Sequence, residues 1–484
     1  MRIPRWTTYP AIAILLIVAF VALPRGASQK HRGAALETRQ AHTTNEWGVP
    51  IRMDQARRGA TLRLIDFLPE GHVIDGSVDY REVVQEALDA SAGGTLELPD
   101  FPVRVGRAPG QVYCLVLRTE TRVTGSPASV LVTRTPAAQV LRAEGVSHLV
   151  LEGFGVRGVG HGGMQLGHGL VQITGGDNVQ ITALTVDGAD CDGIAIASVE
   201  DCTVEACVVE GASRAGIYLN GCSNGVVRGN IVREFGGHLD ANDNPVGAGI
   251  MLSSNDNVLC SDNVIRQGQG VGILINSHKH GDRPSGNTLR GNRIESVSNP
   301  LNKGDSGGIR LTNGNQNRGT GTFVTGNSIS NCGDHGIYAE NHGGSAIIGN
   351  LVTGSEGTGI LVSTIQDLQL LDNVVLNSDT VGTGSEVAIR LINGAEGVQT
   401  SGNVLKNAAL LGYAGAVEGV EDLSTGGEHS LEPRVLHAAS KPECGTWGQG
   451  DIIYNTAPTS GGHLGWVCTA AGTPGEWAPF GRIE

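Results

Sequence analysis

Two stretches far apart in the chain read almost alike: "GIYLNGCSNGVVRGNIV", Gly216 to Val232, and "GIYAENHGGSAIIGNLV", Gly336 to Val352. They belong to a longer series. Gly-Ile occurs at Gly193, Gly216, Gly249, Gly272, Gly308, Gly336 and Gly359, with the variant Ala388-Ile389. Gly-Asn or Asp-Asn follows at Asn230, Asn263, Asn292, Asn327, Asn350, Asn373 and Asn403. From Gly193 to Gly216, and from Gly336 to Gly359, the step is 23 residues. A fixed period of this size marks a solenoid. Within each unit, short runs such as "GIMLSS" and "NVIRQ" alternate with period two, which is the pattern of strands. An all-β chain with 73 glycines and only 4% aromatic residues suits such a turn-rich build.

Each repeat is therefore one coil of a parallel β-helix, with consecutive coils stacked at about 4.8 Å. Weaker coils extend backwards through "VQITGGDNVQITALTV", for about ten coils in all. The asparagines sit at a tight turn that favours residues tolerant of unusual backbone angles, and stacking lets their amides hydrogen-bond along the column. Ahead of the repeats, "VVQEAL" carries helical periodicity and Gly93-Gly94 ends it. A helix there would cover an exposed β edge.

These motifs resemble the right-handed parallel β-helix proteins of the pectate-lyase-like superfamily, over residues 75–407. The stretch "DYREVVQEALDASAGGTLELPDFPVRVG", Asp79 to Gly106, is similar to the segment that caps the solenoid in that superfamily. The resemblance implies a substrate cleft along the Gly-Ile strand and its flanking loops. It leaves the chemistry open, because this fold hosts many reactions.

The spacing of the repeats points to the same strand independently. Five stretches lengthen the coils: 233–248, 275–287, 295–307, 311–323 and 377–387. All flank the Gly-Ile strand and none interrupts the Asn turn, so they form two walls of a groove. Alternation places Ala195, Tyr218, Met251, Leu274, Arg310, Tyr338, Leu361 and Arg390 in one outward column. Ala197, Asn220, Ser253, Asn276, Thr312, Glu340 and Ser363 form a second. Between Lys279 and Arg318 there are seven Lys/Arg and three acids, a basic island in a chain of net charge −14. The overall charge argues against a nucleic-acid partner. The island suits an acidic polysaccharide.

β-Elimination beside a uronate needs the carboxylate neutralised, a base for the adjacent proton and an acid for the leaving oxygen. Arg310 suits the first task. Tyr338, His335 or Lys279 suits the second, a tyrosine or lysine base needing its pKa lowered by nearby cations. A uronate epimerase would begin with the same proton abstraction. A glycoside hydrolase on the same groove needs two carboxyl groups, and the floor offers Glu340 alone. The set of Asn-Thr-Asp, Asp-Asp, Gly-His-Gly and Arg-Ile-Lys signatures that polygalacturonases carry is not found, and "DCDGIAI", Asp190 to Ile196, and "GGIRL", Gly307 to Leu311, are only echoes of it. A non-catalytic glycan-binding or structural β-helix is the third reading. Substrate contacts are expected from Asn276, His278, His280, Arg283, Lys303, Asp305 and His342. Asp240, Asn242 and Asp243 place oxygen donors as at the start of a calcium loop, although Pro245 stands where an EF-hand needs Gly. Lyases of the resembled superfamily often use calcium.

The ends differ from the middle. Arg2 and Arg5 precede an apolar run, Ala11 to Leu23, that is short for a membrane span and reads as a secretory signal over residues 1–28. An uncleaved anchor is the alternative. Residues 29–74 and 408–442 read as linkers. Residues 443–484 form a small β module in which Trp447 and Trp466 could stack on sugar rings. The competing reading is that they fill the module's own core. Cys444 and Cys468 bracket this module, where export would permit a disulfide. The chain is expected to be a secreted monomer.

Overall fold

The computed structural model describes residues 59–160, 168–239, 245–277, 284–298, 306–312, 319–378, 380, 387–393, 395, 397–406, 420–423, 435–443, 447–472 and 474–484. Strands wind in the expected order of floor strand, second strand, Asn turn and third strand. All pairings between coils are parallel. Among the described residues the third strands form one 12-stranded sheet, two strands more than the roughly ten coils expected. Floor and second strands merge into one 22-stranded sheet through three continuous strands, Gln139–Glu152, Gly169–Thr182 and Asp192–Glu205. The solenoid also overruns the boundaries expected from sequence. Thr61–Arg63 pairs with Thr95–Glu97, inside the supposed first linker, and Val420–Leu423 pairs with Ile389–Ile392, inside the second.

The repeat has a packing cause. Ile194, Ile217, Ile250, Ile273, Ile309, Ile337, Ile360 and Ile389 are all buried in the bore. The glycine before each of the first seven leaves space that a third-strand side chain occupies. A Cβ on Gly216 would lie 2.2 Å from Val232 Cγ1, and one on Gly336 would lie 2.2 Å from Val352 Cγ1. Any larger residue would collide with the core there.

The asparagine column is a ladder. Asn230 Nδ2 donates to Asn263 Oδ1 at 2.9 Å, and the same bond repeats along the column to Asn403. Each Oδ1 also accepts a backbone N–H from the preceding coil, as Asn327 Oδ1 does from Asn292. One expectation needs correction: the asparagine is not the residue with unusual angles. The residue before it is left-handed, with φ of 64° at Gly229, 57° at Asp262 and 55° at Asp372. The turn therefore divides its work between a Gly or Asp that bends the backbone and an Asn that bonds the next coil.

The helix Arg81–Ala90 closes the N-terminal end. Its Gln85 side chain meets the strand Tyr113–Val116 as another strand would. Val116 N donates to Gln85 Oε1 at 2.8 Å, and Gln85 Nε2 donates to Val116 O at 3.0 Å. One side-chain amide thus satisfies the open β edge.

Candidate active site on the floor strands

The outward columns fall in the predicted register. Leu274 pairs with Arg310, Arg310 with Tyr338, and Tyr338 with Leu361. In the second column Thr312 pairs with Glu340, and Glu340 with Ser363. Alternation on the strand Gly307–Thr312 turns Ile309 and Leu311 inward and Arg310 and Thr312 outward. The strand His335–Glu340 presents Tyr338 and Glu340 in the same way.

Side chains from the two rungs converge. The Arg310 guanidinium carbon lies 5.2 Å from the centre of the Tyr338 ring. Thr312 Oγ1 donates to Glu340 Oε2 at 3.1 Å. The Glu340 carboxylate and Ser363 act on the Tyr338 phenol from the same and the next rung. His335 packs beside the tyrosine, with ring centres 5.8 Å apart, and its Nε2 is 3.4 Å from Asp334 Oδ1. Its Nδ1 is buried. His335 is thus brought beside Tyr338 and Asp334.

The expected lowering of the Tyr338 pKa does not occur. Burial and the neighbouring Glu340 carboxylate push it up to about 12, against opposing contributions from Arg310 and Ser363. At neutral pH this tyrosine is a proton donor. The lowering by Arg310 is outweighed first by burial and then by the Glu340 carboxylate two residues away on the same face.

Other expectations need correction. His342 is fully buried, and burial alone pushes its pKa down to about 4, so it is a neutral interior residue and not a groove ligand. Asn276 lies half-buried on the floor and accepts a hydrogen bond from Ser253 Oγ. His278, Lys279, His280, Arg283, Lys303 and Asp305 lie outside the described residues, as do Asp240, Asn242 and Asp243. Among the described residues no group of three or more His, Cys, Asp or Glu side chains could hold a metal ion.

In the C-terminal module Trp447 is 2% exposed and meets Trp477 edge-on at 5.0 Å, which makes it core rather than a sugar platform. Trp466 packs against the same core and is partly buried. Cys444 lies outside the described residues.

The sequence reading missed a buried network upstream on this face. Arg214 is 7% and Asp192 0% exposed at the side chain. Arg214 Nε donates to Asp192 Oδ1 at 2.8 Å and Nη2 to Oδ2 at 2.5 Å. The guanidinium also covers the Tyr218 ring at 4.6 Å. Ala195, Ala215, Tyr218, Ala248, Met251 and Val271 pack together around it as a second core outside the bore. The available signal was Asp192 beside the echo at Asp190, one coil from an arginine that precedes Ala-Gly-Ile.

Residues 169–323 match the family described as right handed beta helix region. No curated protein sequence matches the chain. Among solved structures, the A-module of the mannuronan C-5 epimerase AlgE6 of Azotobacter vinelandii is similar at 15% identity and a TM-score of 0.54, over 76% of this chain and 97% of that one. The catalytic unit of the GH87 alpha-1,3-glucanase from Streptomyces thermodiastaticus is similar at 17% identity and 0.55, over 77% and 69%. The Dettilon tailspike protein is similar at 16% identity and 0.54, over 75% and 68%. Identities this low speak to the fold alone. On its strand order, its register and these likenesses, the chain is a right-handed parallel β-helix protein.

Proposed function

We propose that this protein is a carbohydrate-active enzyme that cleaves an acidic, uronate-bearing polysaccharide by β-elimination on the open part of its floor. The observation that carries this reading is the meeting of Arg310, Tyr338 and Glu340 on adjacent rungs. The structural likeness to an epimerase and a glucanase supports polysaccharide chemistry in general.

Each side chain has one task. The Arg310 guanidinium neutralises the uronate carboxylate and makes the neighbouring C–H acidic. Glu340, held by Thr312, takes the C5 proton. The C4–O bond breaks, and Tyr338, kept protonated by its surroundings, gives its proton to the leaving oxygen. The products are a new reducing end and a C4–C5 double bond. Export through residues 1–28 belongs to the same proposal. A calcium ion at Asp240, Asn242 and Asp243 enters none of these steps.

Hydrolysis is less well supported. Its two carboxyl groups stand about 5 to 9.5 Å apart. Among the described residues the loop acid nearest in sequence, Asp334, lies in the turn before the Glu340 strand and faces His335. Upstream, Asp192 is committed to Arg214.

The test is the variant set Arg310→Ala, Glu340→Gln and Tyr338→Phe, with folding checked by circular dichroism. Each should reduce turnover of the susceptible polymer by about 10² to 10³. Turnover unchanged in all three would overturn the assignment.

A further inference from the structure

The column that carries Arg310 continues well upstream. It runs from Leu274 and Met251 through Tyr218, Ala195 and Gln172 to Arg142 and Val116. At that end of the solenoid a cavity of about 630 Å³ opens on the same face. Gln111, Tyr113, Arg118, Thr119, Arg142 and Glu144 line it, over an apolar base that includes Leu117 and Val146.

This lining has the chemistry of a sugar site. Tyr113 supplies an aromatic edge, and the Arg142 guanidinium carbon stands 5.1 Å from its ring centre. That stacking and an ion pair with Glu144 hold Arg142 in place while its side chain stays 28% exposed. Arg118 is anchored from the capping helix, its Nε 2.8 Å from Asp89 Oδ1. Two guanidinium groups, one amide, two hydroxyls and one carboxylate offer donors and acceptors, and each guanidinium keeps N–H donors beyond those its carboxylate partner takes. We propose that this cavity is a second saccharide-binding site, which holds a remote part of the same acidic polymer that reacts at Arg310. The proposal rests on the elimination reading for the identity of that polymer.

The spacing gives it a measurable consequence. Arg142 and Arg310 are six rungs apart, about 29 Å. The stretch between them is closed, with Tyr218 5% and Met251 6% exposed, so it offers no continuous row of subsites. A short oligosaccharide can occupy only one end. A long one engages both, and the second contact is intramolecular.

The experiment uses the full chain carrying Glu340→Gln, to suppress turnover. Its affinity is measured by calorimetry for oligogalacturonates and oligomannuronates, each as a trimer too short to bridge the two ends and as a dodecamer long enough. The dodecamer should bind at least about tenfold more tightly than the trimer, beyond the statistical gain of repeated sites. Adding Arg142→Ala, or Gln111→Ala in the exposed loop, should remove that advantage, abolish trimer binding at the cavity and leave trimer binding at the open floor unchanged. Gln111→Ala guards against a folding defect, because Gln111 is exposed. An undiminished advantage in both variants would overturn the proposal, as would its absence in the parent. Arg310→Ala separates the two readings. If it leaves all binding intact while Arg142→Ala abolishes it, the open-floor reading fails and the cavity stands. Failure of the parent to bind any of these oligouronates overturns the cavity as an acidic-sugar site.

Discussion

Tyr218 and Tyr338 stand in one outward column, and each carries an arginine over its ring, at 4.6 Å for Arg214 and 5.2 Å for Arg310. The backbone around them is the same. Their surroundings are opposite. Around Tyr218 the face is packed with alanine, valine and methionine, and the cation is matched by Asp192 in a fork of two hydrogen bonds. Around Tyr338 the face stays half-exposed, and the carboxylate acts on the tyrosine and accepts from Thr312. The same residue pair thus serves a closed region as structure and an open region as a candidate site. What separates the two is the partner of the cation and the access of water, neither of which is a property of the pair itself.

Four changes test this contrast. The largest effect is expected from Asp192→Ala, which leaves the Arg214 charge buried without its carboxylate. It should cost about 3 to 5 kcal/mol of unfolding free energy in denaturant titration. Asp192→Ala combined with Arg214→Met should recover much of that, since replacing a buried pair by apolar groups is far less costly than breaking it. Recovery by the double change would identify the pair as a packing element.

The next effect is one of pH. His342 is held neutral in the interior with a pKa of about 4, against about 6.5 in the unfolded chain. Between those values the unfolded chain binds the extra proton, so stability falls as pH drops from 6.5 to 4. The total is about 3 kcal/mol. His342→Gln should flatten that limb of the stability profile, measured as denaturation midpoints across pH.

The tyrosines themselves give the third test. Tyr218→Phe removes hydrogen bonds to Ser253 and Arg214 in the closed region. It should cost about 1 kcal/mol in stability and leave turnover intact. Tyr338→Phe should do the reverse. A loss of activity in both, or of stability in both, would erase the distinction between the regions. The smallest effect is spectroscopic. Ultraviolet titration of the parent minus Tyr338→Phe should place this phenol near 12 instead of the ordinary value of about 10. Turnover should therefore show no alkaline decline from Tyr338 near pH 10.

Much of this could be read from the chain, because a solenoid repeats its physics. Ile217 and Ile250 point into the bore, and Arg310 and Tyr338 point out, for the same reason of alternation. The ladder followed from a fixed period and an amide at one position. What alternation cannot show is whether something lies over the outside of a strand. Tyr218, Met251 and Leu361 were expected on an accessible floor and are each less than 8% exposed. The direction of the Tyr338 shift was legible in principle, because Glu340 follows it at the spacing that shares a face. His342 was misread because polarity marks a residue as useful without saying whether the fold buries it, and the same burial decides between the two readings left open for Trp447 in favour of the core. The ends of the solenoid were misplaced because single short strands such as Thr61–Arg63 carry no period of their own.

The central claim is that the open floor performs elimination on an acidic polysaccharide. The most direct measurement incubates the protein with polygalacturonate, alginate and neutral glucans while following ultraviolet absorbance and reducing ends together. The account predicts that both rise in step on an acidic polymer, because each cleavage creates one reducing end and one conjugated C4–C5 double bond. Reducing ends without absorbance would contradict it and identify a hydrolase, and silence on every acidic polymer would remove the uronate from the account.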